Sequence, residues 1–222
     1  MVNELASPFR DIGVMILGST GELWGKKDLF AWRFAYTNGT GMNVMDNNEY
    51  KDYTGRLIVS PFEWLSLGAS YKYGKQKPVN DTMAADERRR WGVDLSVEKY
   101  NFLLQAEYID GLDKGSSLVG GGCGSTPTLV LGDFEKNGYM VQLLYMTSFN
   151  IQPVVKYECY DPDASVDYNK QQDFTFGFNY FFNEWTRVQL NYVYRVEESG
   201  DTTEDYHEID NDFFVMQVQV KF

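Results

Sequence analysis

DFTFGFNY, residues Asp173 to Tyr180, places Phe174, Phe176, Phe178 and Tyr180 at every second position, with Asp173, Thr175, Gly177 and Asn179 between them. A period of two belongs to a β-strand, whose successive side chains point to opposite faces. One face of this strand is aromatic and the other polar. The next segment repeats the scheme, with Val188, Leu190, Tyr192 and Tyr194 set against Arg187, Gln189, Asn191 and Arg195. A soluble sandwich also alternates, but its inward face is usually Val, Ile and Leu, and its strands are shorter. An apolar face of Phe, Tyr and Trp, often near segment ends, suits the lipid side and aromatic girdles of a membrane barrel.

Outward from this pair, the same alternation recurs near Phe9 to Gly18, Leu29 to Thr37, Tyr53 to Ser60, Trp64 to Tyr73, Arg90 to Val97, Phe102 to Asp110, Gly138 to Thr147, Ile151 to Tyr160 and Asp212 to Phe222. That makes about eleven segments of roughly the 9 to 11 residues that a tilted strand needs to cross a bilayer. The connections alternate in length. Pro61 to Glu63, Glu98 to Asn101, Ser148 to Asn150 and Phe182 to Trp185 are tight; Asn38 to Asp52, Gly74 to Arg89, Gly111 to Asn137, Asp161 to Gln172 and Val196 to Asn211 are long. Short periplasmic turns and long extracellular loops are the layout of an outer-membrane barrel. The expected fold is therefore all-β, an antiparallel transmembrane β-barrel, forming one domain over residues 1–222. Following the alternation puts Phe222 on the periplasmic side and Met1 outside. Single-chain bacterial barrels have an even strand number, so this odd count predicts an N-terminally truncated chain.

Composition narrows the function. The chain has no run of about 18 or more apolar residues and no signal-peptide layout in its first ten. Yet 16% of its 222 residues are aromatic, 16 Tyr, 15 Phe and 5 Trp, beside a mean hydropathy of -0.41. So many rings in so polar a chain need an apolar surrounding to face. A net charge of -12 argues against nucleic acid as a partner, which would require a basic surface. Cys123 and Cys159, the only cysteines, stand without a CxxC and beside a single histidine, so no zinc site or redox pair is signalled. A disulfide between them and two unrelated thiols both remain open.

The C-terminal stretch FVMQVQVKF, Phe214 to Phe222, alternates and stops on phenylalanine, which looks like the signal that outer-membrane proteins present to their barrel assembly machinery. RDIGVMILG at Arg10 to Gly18, Asn38-Gly39 followed by Lys51-Asp52 and Arg56, QPVVKYE at Gln152 to Glu158, and FGFNYFFNEWTRVQLNY at Phe176 to Tyr192 resemble the phosphate-selective porin family, the porin O and P type. The resemblance implies a sixteen-stranded homotrimeric barrel of the bacterial outer membrane. This chain would supply roughly its last eleven strands, and family selectivity would depend partly on basic pore residues that precede Met1. The overall acidity departs from a strongly basic channel.

Sorting charge by face gives the candidate site. Arg33, Arg56, Lys72, Arg90, Lys156, Arg187, Arg195 and Lys221 fall on the polar, lumenal face, against Asp11, Asp94, Glu107, Glu158 and Asp173, a wall of +3. The remaining -15 then sits in outer loops such as EESGDTTEDYHEIDND, Glu197 to Asp212. Cationic rings favour anions in a pore, and guanidinium groups match phosphate oxygens in a bidentate fork. The first seven of these cations are the expected pore-lining, anion-binding residues. Ordinary lumen polarity with paired charges is the competing account, and a one-residue register slip would invert the face assignment. Arg88 to Arg90 also reads as a strand end at a polar interface.

Enzyme chemistry has little to rest on. His207 lies in the acidic stretch, no GxSxG occurs, Glu107 and Glu158 fall on strands separated by another, and GGGCG at Gly120 to Gly124 lacks a following basic residue. Glu204, Asp205, Glu208 and Asp210 lack EF-hand spacing, so no metal or cofactor is expected. The expected function is a porin for passive diffusion of small hydrophilic solutes, with anions such as phosphate as cargo and membrane lipid as surroundings. The alternatives are a non-conducting outer-membrane barrel with a surface-binding or structural role, and a soluble all-β binding module.

Overall fold

The computed structural model describes residues 11–39, 46, 48–77, 85–119, 128–198 and 210–221. Its strands are β1 (Gly13–Ser19), β2 (Glu22–Leu23), β3 (Lys26–Lys27), β4 (Phe30–Thr37), β5 (Asp52–Phe62), β6 (Leu65–Gln76), β7 (Asp86–Lys99), β8 (Phe102–Val119), β9 (Thr128–Tyr145), β10 (Ile151–Asp161), β11 (Gln171–Phe181), β12 (Thr186–Glu197) and β13 (Phe213–Val220). Eleven of them form one antiparallel meander in chain order, from β1 through β4 to β13, while β2 and β3 make a small separate hairpin. No described helix is long and apolar enough to cross a membrane. Such a meander keeps every connection local, so each strand pairs with its neighbours in sequence.

Alternation sets the two faces. On β11, Asp173, Thr175 and Asn179 are buried on the polar face while Phe176, Phe178 and Tyr180 are exposed on the other. The exposed face continues through Phe34, Leu57, Trp91, Val141, Val155 and Met216. In a soluble protein such a surface would be unsustainable; in a barrel wall it is the lipid contact. Aromatic rings collect at two levels of that face. Near the long-loop ends, Tyr139, Tyr157, Phe174 and Tyr194 make a continuous row over four strands, with ring centroids 5.8, 4.8 and 6.4 Å apart. Near the short turns, Phe62 stacks on Trp64, Phe102 meets Tyr145, and Lys26 and Lys99 lie 4.7 Å over the Phe62 and Trp64 rings. The rings mark two aromatic belts, with ammonium groups at the short-turn one.

The tight turns sit where the sequence placed them. Lys99 pairs with Phe102 across the two-residue turn Tyr100–Asn101, whose φ values of 52° and 65° give the mirror-image geometry that matches strand twist. The strands exceed the expected spans at the long-loop ends. β8 and β9 each run 18 residues, so most of the stretch read as a loop from Gly111 to Asn137 is a paired hairpin. β7 likewise begins at Asp86, which puts Arg88 to Arg90 inside a strand. In these extensions Lys114, Asp133 and Glu135 interrupt the apolar face, so the alternation that announces a strand stops before the pairing does. Cys159 is buried; Cys123, His207, Phe222, GGGCG and most of the acidic stretch after Glu198 lie outside the described residues.

Candidate pore wall

Cross-strand register assigns the face of each candidate. Arg33 stands opposite Arg56, which stands opposite Ser70; Lys72 stands opposite Arg90, and Asp94 opposite Glu107. Lys156 and Glu158 pair with Thr175 and Asp173, Asp173 with Arg195, and Arg187 with Phe181 and Gln219. All seven candidate cations therefore share the polar face. Strand extension adds Asp52, Asp86, Arg88, Glu98, Asp113, Lys136 and Glu197 to it. Within the described strands that face carries nine cationic and nine anionic side chains, so the expected surplus of +3 is replaced by balance.

Most of the cations are held. Arg56 makes a bidentate fork on Asp94, Nη1 to Oδ2 at 2.8 Å and Nη2 to Oδ1 at 2.9 Å, and Lys72 lies 2.9 Å from Asp52. Lys156 lies 2.6 Å from Glu158, and Arg195 forks onto Asp173 at 2.8 and 3.0 Å. On β7 to β9, Asp113 gathers three cations: Arg90 at 2.6 Å, Lys136 at 3.0 Å and Arg88 at 3.6 Å. Arg88 and Arg90 also donate to the Lys114 and Leu112 carbonyls of β8, which fixes both guanidinium groups along the hairpin. Arg33 is exposed and meets no carboxylate among the described residues; Arg187 donates Nε to Gln219 and likewise meets none.

Balance does not make the surface neutral. In each of these pairs the cation is the more exposed partner: 40% against 4% for Lys72 and Asp52, 28% against 6% for Arg195 and Asp173, and 14 to 19% against 6% around Asp113. The short carboxylates lie at the base of the wall and the long cationic side chains reach over them. The outer layer of these pairs is therefore cationic, while Glu98 stands exposed on the same face. Outside the strands, Lys51 donates to Asp46 at 2.6 Å, and that hydrogen bond is the main cause holding the Asp46 carboxyl below its ordinary range.

Glycines make the longer bridges possible. Arg56 and Asp94 meet across the intervening β6 above Gly68, where an added Cβ would overlap the Asp94 carboxylate and lie 2.7 Å from Arg56 Nη2. Gly74 gives Asp52 the same clearance. Arg88, Lys136 and Asp113 escaped sequence reading because their strand segments looked like loop. The signal available was the i, i+2 spacing of Arg88 and Arg90, which puts both on one face. Glu107 and Glu158 stand on either side of Met140, with β9 between their strands. Among the described residues no three His, Cys, Asp or Glu side chains gather in a metal-holding group.

Comparison with known proteins agrees with this geometry. The sequence pattern described as phosphate-selective porin O and P matches residues 30–222. Among curated proteins, none matches the chain in sequence. In fold, it is similar to an anion-selective porin from Comamonas acidovorans, at 14% identity and a TM-score of 0.64, covering 92% of this chain and 57% of that one. It is also similar to Salmonella typhi OmpF in complex with daunomycin (16%, TM-score 0.67, 92% and 61%) and to Vibrio cholerae OmpT in its trimer form (13%, TM-score 0.61, 95% and 64%). The chain thus spans about three fifths of the length of the porins it matches.

Proposed function

The chain belongs to the phosphate-selective porin O and P family, and on that premise we propose that it forms much of the wall of a water-filled channel through which small hydrophilic anions, phosphate among them, diffuse passively. It is a protein of the bacterial outer membrane. The channel assembles as a homotrimer in this reading, with membrane lipid around the aromatic face and the barrel assembly machinery as its folding partner. A channel wall does its work without covalent chemistry.

The observation that carries the anion preference is the exposure asymmetry of the ion pairs. Three cations converge on Asp113 while that carboxylate is buried, so the local surface is positive although the face as a whole is balanced. Arg56, Lys72 and Arg195 extend the same asymmetry across the long-loop half of the wall. Arg33, Lys156 and Arg187 are further anion-contacting residues in this reading. Basic side chains held by carboxylates at their bases are pre-oriented donors, which attract an anion without closing on it.

Reversal potential across a planar bilayer under a potassium chloride gradient tests the reading. The native channel should prefer chloride, and Arg90→Gln with Lys136→Gln should move the potential toward the unselective value. A cation preference, or a potential that both substitutions leave in place, would overturn the assignment of selectivity to this wall.

A further inference from the structure

The polar face is hollowed in its short-turn half, away from the Asp113 cluster. The hollow holds about 450 Å³ and crosses five strands from β8 to β12. Its chemistry differs from that of the cationic half. Gln189 donates Nε2 to Asn179 Oδ1 at 2.6 Å, and Asn179 donates Nδ2 to Gln152 Oε1 at 2.9 Å, so three amides on three adjacent strands form one directional relay. Asn179, at the centre, is 3% exposed and uses both its amide nitrogen and its amide oxygen. At the relay ends the Gln152 amide nitrogen and the Gln189 carbonyl, both on half-buried side chains, have no hydrogen-bond partner among the described residues.

A free donor at one end and a free acceptor at the other suit hydroxyl groups, which do both. The two ends stand on strands two spacings apart, with backbones about 9.5 Å from each other, so they offer separate points of contact. Arg187, two residues along β12 from Gln189, has its Nε on Gln219 and lines the hollow without a carboxylate partner among the described residues. Lys156 also lines it, held from outside by Glu158. Among the described residues no carboxylate lines the hollow, and Leu144, Val154 and Phe181 supply apolar wall for a carbon skeleton.

We infer that this hollow is a second solute site, which takes a small polyol bearing one anionic group, its hydroxyls on Gln152 and Gln189 and its anionic group on Arg187. The inference rests on the channel reading for the way a solute arrives, and not for the binding itself. A phosphate ester and a carboxylate both fit a guanidinium fork, so the probes are glycerol 3-phosphate and glycerate.

The test is calorimetric titration of the detergent-extracted protein with these two probes, inorganic phosphate and glycerol. At least one polyol anion should bind more tightly than inorganic phosphate and than glycerol. Arg187→Gln should weaken that binding roughly tenfold, the loss of one hydrogen bond to a charged group. Gln152→Leu, which keeps every cation, should weaken it while leaving inorganic phosphate unchanged. Equal affinity for the polyol anions and inorganic phosphate, or affinities that neither substitution moves, would overturn the site. Bilayer current is recorded separately: current without polyol-anion binding refutes this inference alone, and binding without current refutes the channel reading alone.

Discussion

Arg56 on β5 and Asp94 on β7 are joined by a two-pronged ion pair that spans β6, and the arginine is the more exposed of the two, 33% against 25%. Neither residue is a register partner of the other; Gly68 between them leaves the room. The same inequality recurs in the ion pairs from β5 to β12, so in each pair the cation forms the outer layer. Surface ion pairs as such contribute little to stability. Here their value is orientation, because a cation tethered at its base points its remaining donors into the lumen.

Gly68→Val tests the clearance. The larger side chain would displace the fork, at a cost of about 1 to 3 kcal/mol typical of overpacking. The urea midpoint of the lipid-embedded protein should fall, and the reversal potential should shift because Arg56 is no longer held. Removing the carboxylate as well, as in Gly68→Val with Asp94→Ser, should recover part of the midpoint.

Asp113→Asn leaves Arg88, Arg90 and Lys136 without their shared counter-charge. Breaking a largely buried pair from one side costs about 3 to 5 kcal/mol. Thermal unfolding followed by gel mobility should shift to lower temperature. Anion preference at room temperature should rise, since the wall then carries one negative charge fewer beneath Arg88, Arg90 and Lys136.

Phe178→Arg and Gln217→Arg compare the two faces directly. An arginine on the lipid face near mid-bilayer costs about 2 to 4 kcal/mol, whereas one on the polar face meets water. Phe178 is 40% exposed on the aromatic face, and Gln217 lies on the polar face of β13. The first variant should fold poorly into vesicles and the second normally; equal folding would refute the face assignment.

Tyr100→Gly addresses the turn after β7. A left-handed backbone costs a non-glycine residue about 1 to 2 kcal/mol, and Tyr100 sits there with φ of 52°. The substitution also removes the Lys99 contact to the Tyr100 ring at 5.1 Å, while Lys99 keeps Trp64 at 4.7 Å. The net effect expected is a gain of about 1 kcal/mol in stability, read as a higher urea midpoint.

Legibility of the site differed from residue to residue. Arg187, Lys156 and Arg195 were readable because their segments alternate cleanly, so a period of two places each on a face without knowledge of its neighbours. Arg88, Lys136 and Asp113 were not, because charged residues such as Arg89, Lys114, Asp133 and Glu135 interrupt the apolar face of their strand extensions. The Gln152–Asn179–Gln189 relay was half legible: each amide showed its face, and none showed its partner.

What the sequence determined by itself was the all-β class, the lipid and polar faces, the tight turns and the side on which each candidate cation stands. These follow from local periodicity and turn chemistry, which act over a few residues. Only the tertiary structure decided which carboxylate lies under which cation, that Asp52, Asp86 and Asp113 balance the face, and that a hollow crosses five strands. Those properties depend on register across strands far apart in sequence and on depth within the wall, where a short aspartate sinks and a long arginine or lysine reaches out. No period along one strand encodes that difference.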